Sequence, residues 1–302
     1  MTLKEFKTYF SNELSTVYPD TEIEAFFSII IEEKLNLQRI DTVLKPDFKI
    51  DDAIFTEIKT IIKRLKKEEP IQYILGKTAF YGLPFFVDEN TLIPRPETEE
   101  LVEWVLKECQ ALSIKNQYKN LSILDIGTGT GCIPISLAKN TKNTQISAID
   151  ISSEALKIAQ KNAVLNKVNI DFFELDILEA KNLNNLFVRA QSKTQSSNGK
   201  YDIIVSNPPY VRELEKVEIK NNVLENEPHL ALFVDDKNPL IFYKKIANLA
   251  KEYLSKNGLL FFEINQHLGK ETVEMLQNKG FKNIELKKDL FGNDRIITCK
   301  FV

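Results

Sequence analysis

At 302 residues the chain can hold one large domain and a small one, and its 43% apolar and 27% charged residues are those of an ordinary globular protein. A net charge of −3 and a pI of 5.7 lack the basic excess with which proteins grip phosphates, so no specific nucleic-acid binding is expected. Three cysteines without metal-ligand spacing and only two histidines leave no metal site and fit free thiols in a reducing compartment. The N-terminus has no signal-like apolar run, and no segment approaches the ~18–20 apolar residues of a membrane span. The chain is therefore expected to be a cytoplasmic monomer that touches no membrane.

The first 75 residues carry helical periodicity without strand patterns. Ile23, Phe26, Phe27, Ile30 and Ile31 mark one face of a helix over 20–37, and Ile54, Ile58, Ile61, Ile62 and Leu65 mark another over 51–67. These predict a small helical bundle. Residues 79–93 differ: two aromatic, β-prone runs flank Gly82-Leu83-Pro84 and predict a β-hairpin. Pro94-Arg95-Pro96-Glu97-Thr98-Glu99-Glu100 follows and leads into the periodic Leu101, Val102, Trp104 and Val105. Its prolines can sit only before or at the start of a helix.

From residue 121 strands and helices alternate. Strand-like runs are Ser122–Ile126, Gln145–Asp150, Ile170–Leu175, Asp202–Ser206 and Leu259–Ile264, with helices over 131–140, 152–166 and 240–256. That alternation predicts a parallel, doubly wound sheet. A helix over 267–279 then precedes Asn283–Lys287 and Arg295–Phe301, whose connection is too short for a crossover. The expectation is an α/β fold: a mostly parallel seven-stranded sheet with a C-terminal antiparallel hairpin, the Rossmann-like arrangement of class I methyltransferases, preceded by the helical bundle. The polar residues 189–200 read as a solvated loop.

Asp125-Ile126-Gly127-Thr128-Gly129-Thr130-Gly131 closes the first strand of this sheet and opens a helix. Glycines at alternate positions let the chain turn and a ligand approach the backbone. The spacing differs from the G-x-G-x-x-G of pyrophosphate binders and suits S-adenosyl-L-methionine, which has no phosphate and needs backbone contacts to its amino-acid moiety. A tight strand–helix turn without a ligand is the simpler alternative. Asp150 ends the next strand, where a carboxylate accepts both ribose hydroxyls. It could instead cap the helix that follows, but Ser152 and Ser153 can do that. Asp176, after the third strand, is placed for an adenine amino group or is a plain loop acid.

Asn207-Pro208-Pro209-Tyr210 follows YDIIVS at the end of the fourth strand, the edge where open α/β sheets bind ligands. Two prolines fix the backbone and remove two N–H donors. An amide or aromatic amine is a poor nucleophile because its lone pair is delocalised. The Asn207 side-chain oxygen and the Pro208 carbonyl can each accept one of its N–H groups, aim the nitrogen at a methyl donor and favour the charge that develops. Tyr210 can pack on the planar group. No strong base is needed, which accounts for the lack of a catalytic His or Cys. Glutamine amide, adenine amino and guanine amino all remain open on the tetrapeptide alone.

The chain resembles the PrmC/HemK family, the glutamine methyltransferases of peptide chain release factors. The resemblance rests on Pro70-Ile71-Gln72-Tyr73-Ile74-Leu75-Gly76, Phe80-Tyr81-Gly82, Leu92 to Glu99, Asp125 to Gly131, Asn207 to Tyr210 and Glu227-Pro228, and spans nearly the whole chain. It implies S-adenosyl-L-methionine as cofactor. It implies as substrate the glutamine of the Gly-Gly-Gln sequence of a class I peptide chain release factor. The N-terminal bundle (1–77) would bind that partner, a hairpin linker (78–96) would follow, and 97–302 would form the methyltransferase domain. Asp125, Gly127, Thr128, Gly129, Thr130, Gly131, Asp150, Asp176, Ile177 and Asn207 would face the cofactor, Asn207 to Tyr210 would hold the glutamine, and Pro94 to Thr98 would lie near the mouth. Arg95 and Glu97 equally suit an ion pair and a helix N-terminal charge.

This chain has Ile177 where many members have Trp, which leaves an aliphatic contact for the adenine. It also has Glu263-Ile264-Asn265-Gln266-His267 where the family often has E-x-G-x-Q, so Glu263 reads equally as site or core. Lys63-Arg64-Leu65-Lys66-Lys67 reads as a solvated helix face. Cys132 starts a helix, a position that lowers a thiol pKa mildly, and is assigned no catalytic role. Methylation of an amino group on a nucleic-acid base, and cofactor binding without catalysis, are the competing functions.

Overall fold

The helical periodicity of the first 75 residues folds as α1 (Leu3–Leu14), α2 (Asp20–Leu35), α3 (Asp41–Leu44), α4 (Asp52–Leu65) and α5 (Ile71–Leu75) in the computed structural model. The structure describes residues 1–115, 120–186 and 199–301. Helix α1 starts with a capping box: Thr2 accepts from the Glu5 amide and Glu5 accepts from the Thr2 amide. The apolar stripes meet in one core, where Phe6 and Phe10 of α1, Phe27 and Ile30 of α2 and Ile58 and Ile62 of α4 are each at most 2% exposed. The Tyr18 hydroxyl donates to the Leu65 carbonyl at 2.8 Å and pins the entry of α2 to the end of α4.

Two compact units divide the chain: residues 1–76 with 220–226, and residues 77–219 with 227–302. The second unit opens with a hairpin of β1 (Lys77–Phe80) and β2 (Leu83–Phe86). Its turn is Tyr81-Gly82, both at positive φ (50° and 70°), the two-residue loop that matches strand twist. The turn thus falls earlier than Gly82-Leu83-Pro84, and Leu83-Pro84 lies inside β2. A two-stranded ribbon tolerates Pro84 because each strand has an unpaired edge. The hairpin also ends at Phe86, short of residue 93. Asp88 turns the chain there, its side chain accepting from the Asn90 amide at 3.0 Å. Helix α6 (Pro96–Lys115) begins on Pro96, whose missing N–H costs nothing at a first helical position.

The sheet then builds as β3 (Leu121–Ile126), α7 (Cys132–Asn140), β4 (Thr144–Asp150), α8 (Ser153–Asn166), β5 (Asp171–Glu174) and β6 (Tyr201–Ser206). A short parallel pair, β7 (Val211–Arg212) with β8 (Phe233–Val234), flanks α9 (Asn221–Leu224). Helix α10 (Ile241–Tyr253), β9 (Leu254–Glu263), α11 (Gly269–Asn278), β10 (Phe281–Lys288) and β11 (Asp294–Phe301) complete it. Strand order is β10-β11-β9-β6-β3-β4-β5, with β3, β4, β5, β6 and β9 parallel and β11 antiparallel to both neighbours. The expected seven-stranded sheet and C-terminal antiparallel hairpin are both present.

Alternate residues of the central strands feed two cores. Ile123, Ile203, Leu259 and Phe261 pack with Leu101 and Val105 of α6 and Ile133 of α7. Leu124, Ile204, Leu260 and Phe262 pack with Ile246 of α10 and Leu276 of α11. The sheet is thus covered on both faces, which explains why its strands read as continuous apolar runs. The chain leaves β3 toward β4 on one side and returns as β6 on the other. Their carboxyl ends form the switch-point crevice of an open α/β sheet. The pair β7–β8 and the short helices around it carry no periodic apolar pattern in the sequence. Residues 189–198 of the expected polar loop lie outside the described residues.

Candidate active site

The loop after β3 holds Gly127, Gly129 and Gly131 at φ of 76°, 53° and 79°. At Gly131 a Cβ would meet Ile135 Cδ1 at 3.0 Å and Ala159 Cβ at 3.2 Å, so this glycine serves close packing of the loop on α8. The Asp150 carboxylate accepts from the Gly129 amide (2.8 Å) and the Ser152 amide (2.9 Å), which ties the loop to the end of β4. Burial raises its pKa against these hydrogen bonds. Ser152 caps α8 by accepting from Ala155, so Asp150 is not used as the cap and has lone pairs to spare.

A cavity of about 360 Å³ lies in the crevice, within the range of nucleoside-sized ligand sites. Gly127, Gly129, Asp150, Asp176, Ile177, Asn207, Pro208 and Pro209 line it, whereas Asp125, Thr128, Thr130, Gly131 and Tyr210 do not. Thr128 and Thr130 are buried in the loop at 5% and 2% exposure. A carboxylate at the end of β4 can take a ribose diol, and the wall of Ile177, Leu178 and Phe242 can take a flat apolar ring. Glu89 to Leu92, Leu230 and Phe242 also line the cavity. Their part is invisible in sequence, because tertiary packing alone brings those segments to the sheet edge.

Asp125 sits beneath the loop, fully buried, and neither carboxylate oxygen has a well-aligned hydrogen-bond partner among the described residues. Burial and the Asp150 charge push its carboxyl up to about 7, with the Thr128 hydroxyl and the Ile126 amide pulling the other way. The folded chain therefore holds a proton that the unfolded chain loses between pH 3.8 and about 7. Stability falls as pH rises through that window. Asp125→Asn is expected to flatten the fall, and thermal melts of both proteins over about pH 5 to 8 read it. Parallel slopes for the two would contradict this assignment.

The tetrapeptide follows β6 directly. Asn207 Nδ2 donates to Thr98 Oγ1 at 3.3 Å, and among the described residues nothing donates to Asn207 Oδ1. No amide among them donates to the Pro208 carbonyl. Thr98 Oγ1 in turn donates to Glu263 Oε2 at 2.7 Å, and the Tyr210 hydroxyl donates to Glu263 Oε1 at 3.1 Å. Glu263 is 1% exposed, and burial raises its pKa against the donors and the Arg295 charge. Asn265 donates to the Tyr210 carbonyl (2.9 Å) and to Glu215 (2.7 Å), fixing the far end of the tetrapeptide.

Glu263, open in sequence between site and core, thus holds the tetrapeptide together with Asn265. Arg95 forms an ion pair with Glu227 at 2.6 Å, and Glu97 lies in the first turn of α6 as a helix N-terminal charge. Glu227 also accepts from the Ile93 amide at 3.2 Å. Cys132 departs from expectation: burial dominates its position at the helix start and pushes the thiol up to about 12.

The sheet order, the glycine loop and the crevice at the carboxyl ends of β3, β4 and β6 define a class I methyltransferase. Residues 108–231 match the methyltransferase small domain and residues 6–76 the PrmC N-terminal domain. The chain is 56% identical to the release factor glutamine methyltransferase of Flavobacterium psychrophilum over 100% of both chains. It is 40% identical to that of Bacteroides thetaiotaomicron over 98% of this chain and 99% of the relative. The solved hMettl16 catalytic domain in complex with MAT2A 3′UTR hairpin 6 shares the fold, with a TM-score of 0.54 and 15% identity over 84% of each chain. The chain belongs to the release factor glutamine methyltransferase family.

Proposed function

We propose that the chain methylates the side-chain amide nitrogen of the glutamine in the Gly-Gly-Gln sequence of a class I peptide chain release factor, with S-adenosylmethionine as donor. The observation that carries the reading is the pair of acceptors at the cavity edge, Asn207 Oδ1 and the Pro208 carbonyl, both without donors from the described residues. A primary amide has two N–H groups to satisfy them. S-adenosylmethionine supplies, when bound, a methyl group on a sulfonium that is already a good leaving group.

The rest is done by the chain. Asp150 accepts the ribose hydroxyls, Asp176 meets the adenine amino group, and Ile177 gives the ring an aliphatic wall in place of a stacked aromatic. Gly127 and Gly129 offer backbone against the amino-acid moiety, while Asp125, Thr128, Thr130 and Gly131 keep the loop in shape from beneath. Asn207 and Pro208 hold the amide nitrogen in line with the methyl group and stabilise the positive charge that develops on it. Tyr210, hydroxyl anchored on Glu263, offers its ring to the planar amide. Once the methyl is on nitrogen the proton is acidic and leaves to solvent, so no dedicated base is required. The helical unit of residues 1–76 helps to hold the large protein substrate, as the family resemblance implies.

The test is incubation with labelled cofactor and, in parallel, release factor or total RNA and DNA. Label in the factor supports the reading. Label in nucleic acid with none in the factor overturns it in favour of an amino-group base methyltransferase.

A further inference from the structure

An asparagine amide can turn either end toward a substrate, and only its oxygen can accept an N–H. In this site the choice is made one step back from the cavity. The Thr98 hydroxyl, 3% exposed, has two hydrogen-bond partners among the described residues: Glu263 Oε2 at 2.7 Å and Asn207 Nδ2 at 3.3 Å. A hydroxyl carries one proton. Glu263 takes the Tyr210 hydroxyl on one oxygen and the Thr98 hydroxyl on the other, so it claims that proton. Only lone pairs of Thr98 then face Asn207, and only the NH₂ end of the amide can meet them. The oxygen end is left pointing at the substrate.

We propose that Thr98 and Glu263 are positioning residues that hold the Asn207 side chain with its oxygen outward, and so decide whether the tetrapeptide can accept the amide of the substrate. The proposal rests on the methyl-transfer reading and adds two residues from distant segments, the first turn of α6 and the end of β9, to the machinery. It gives a reason for the threonine of the Pro94–Thr98 segment and for the acid that ends β9, neither of which touches the cavity. An unpinned amide would spend part of its time with NH₂ toward the substrate, where two donors face each other and the reactive geometry is lost.

Three variants test it. Thr98→Val keeps the shape and removes the hydroxyl. Thr98→Ser keeps the hydroxyl. Glu263→Gln keeps the volume, and with the Tyr210 hydroxyl still donating to its oxygen it turns its NH₂ to Thr98. That frees the Thr98 proton to donate to Asn207 Oδ1 and reverses the amide. Thr98→Val and Glu263→Gln should lower kcat by about tenfold or more, with the release factor KM and the cofactor Kd within about threefold of wild type. Thr98→Ser should stay within about threefold in kcat.

A second readout needs no turnover. The two Asn207 side-chain amide proton signals, identified by their loss in Asn207→Ala, should shift in Thr98→Val and stay put in Thr98→Ser. Wild-type kcat in Thr98→Val, equal damage in Thr98→Ser, a loss confined to KM, or unmoved signals would each overturn the proposal. If Thr98→Val melts before it can be assayed, Glu263→Gln decides by the same criteria. If wild type itself methylates no release factor, the glutamine reading fails and the amide signals still judge the positioning.

Discussion

Asn207→Ala is expected to lower kcat for methyl transfer by about 10²–10³-fold, the usual cost of removing one hydrogen-bonding group aimed at developing charge. Cofactor affinity should fall far less, by under about tenfold, because Asp150, Asp176 and the glycine loop line the cavity independently of this side chain. The loss should appear in kcat with the KM for the protein substrate nearly unchanged, since a large partner draws its affinity from much more than one amide. Single-turnover transfer measured beside calorimetric titration of the cofactor separates the two effects. A variant as active as wild type would remove Asn207 from the chemistry. Equal inactivity of both on release factor would favour a cofactor-binding module without catalysis.

Asn162→Ala should carry a large stability cost for a single polar substitution in the methyltransferase unit, about 3 kcal/mol. Asn162 is fully buried on α8. Its Oδ1 accepts from the Phe86 amide at 2.6 Å, and its Nδ2 donates to the Phe86 carbonyl at 3.0 Å and the Thr130 carbonyl at 2.9 Å. One amide thus satisfies the edge of β2 and the back of the glycine loop. Alanine would leave the buried Thr130 carbonyl and the part-buried Phe86 amide and carbonyl without this partner, as well as a cavity. The midpoint of thermal unfolding should drop by roughly 6–12 °C. Weakened cofactor binding should accompany it because Thr130 loses its anchor. An unchanged midpoint would mean that the loop and the hairpin hold without this residue.

Both variants show what a sequence can carry. Asn207 was legible because its chemistry sits in four consecutive residues at a strand end. The same is true of Asp150, whose alternative as a helix cap is taken by Ser152, and of the alternating strands that set the sheet. Asn162 was not legible: its partners are 32 and 76 positions away, and nothing in its own segment distinguishes it from a solvated helix position.

Glu263 shows the intermediate case. Its departure from the family's usual surroundings left it open between site and core, and only the hydrogen bonds from Thr98 and Tyr210 place it behind the tetrapeptide. The hairpin turn slipped because Tyr81 takes a left-handed conformation that propensity assigns to glycine and asparagine. At Cys132 a helix start says nothing about depth, and burial sets its thiol.

The central claim, that a protein glutamine is the methyl acceptor, is tested most directly by mass spectrometry of the Gly-Gly-Gln peptide. The peptide is recovered from release factor after reaction with wild-type enzyme and S-adenosylmethionine. One added methyl on the glutamine side chain, absent when Asn207→Ala replaces wild type, is the predicted result. An unmodified glutamine, or a methyl on any other residue of the factor, would contradict it.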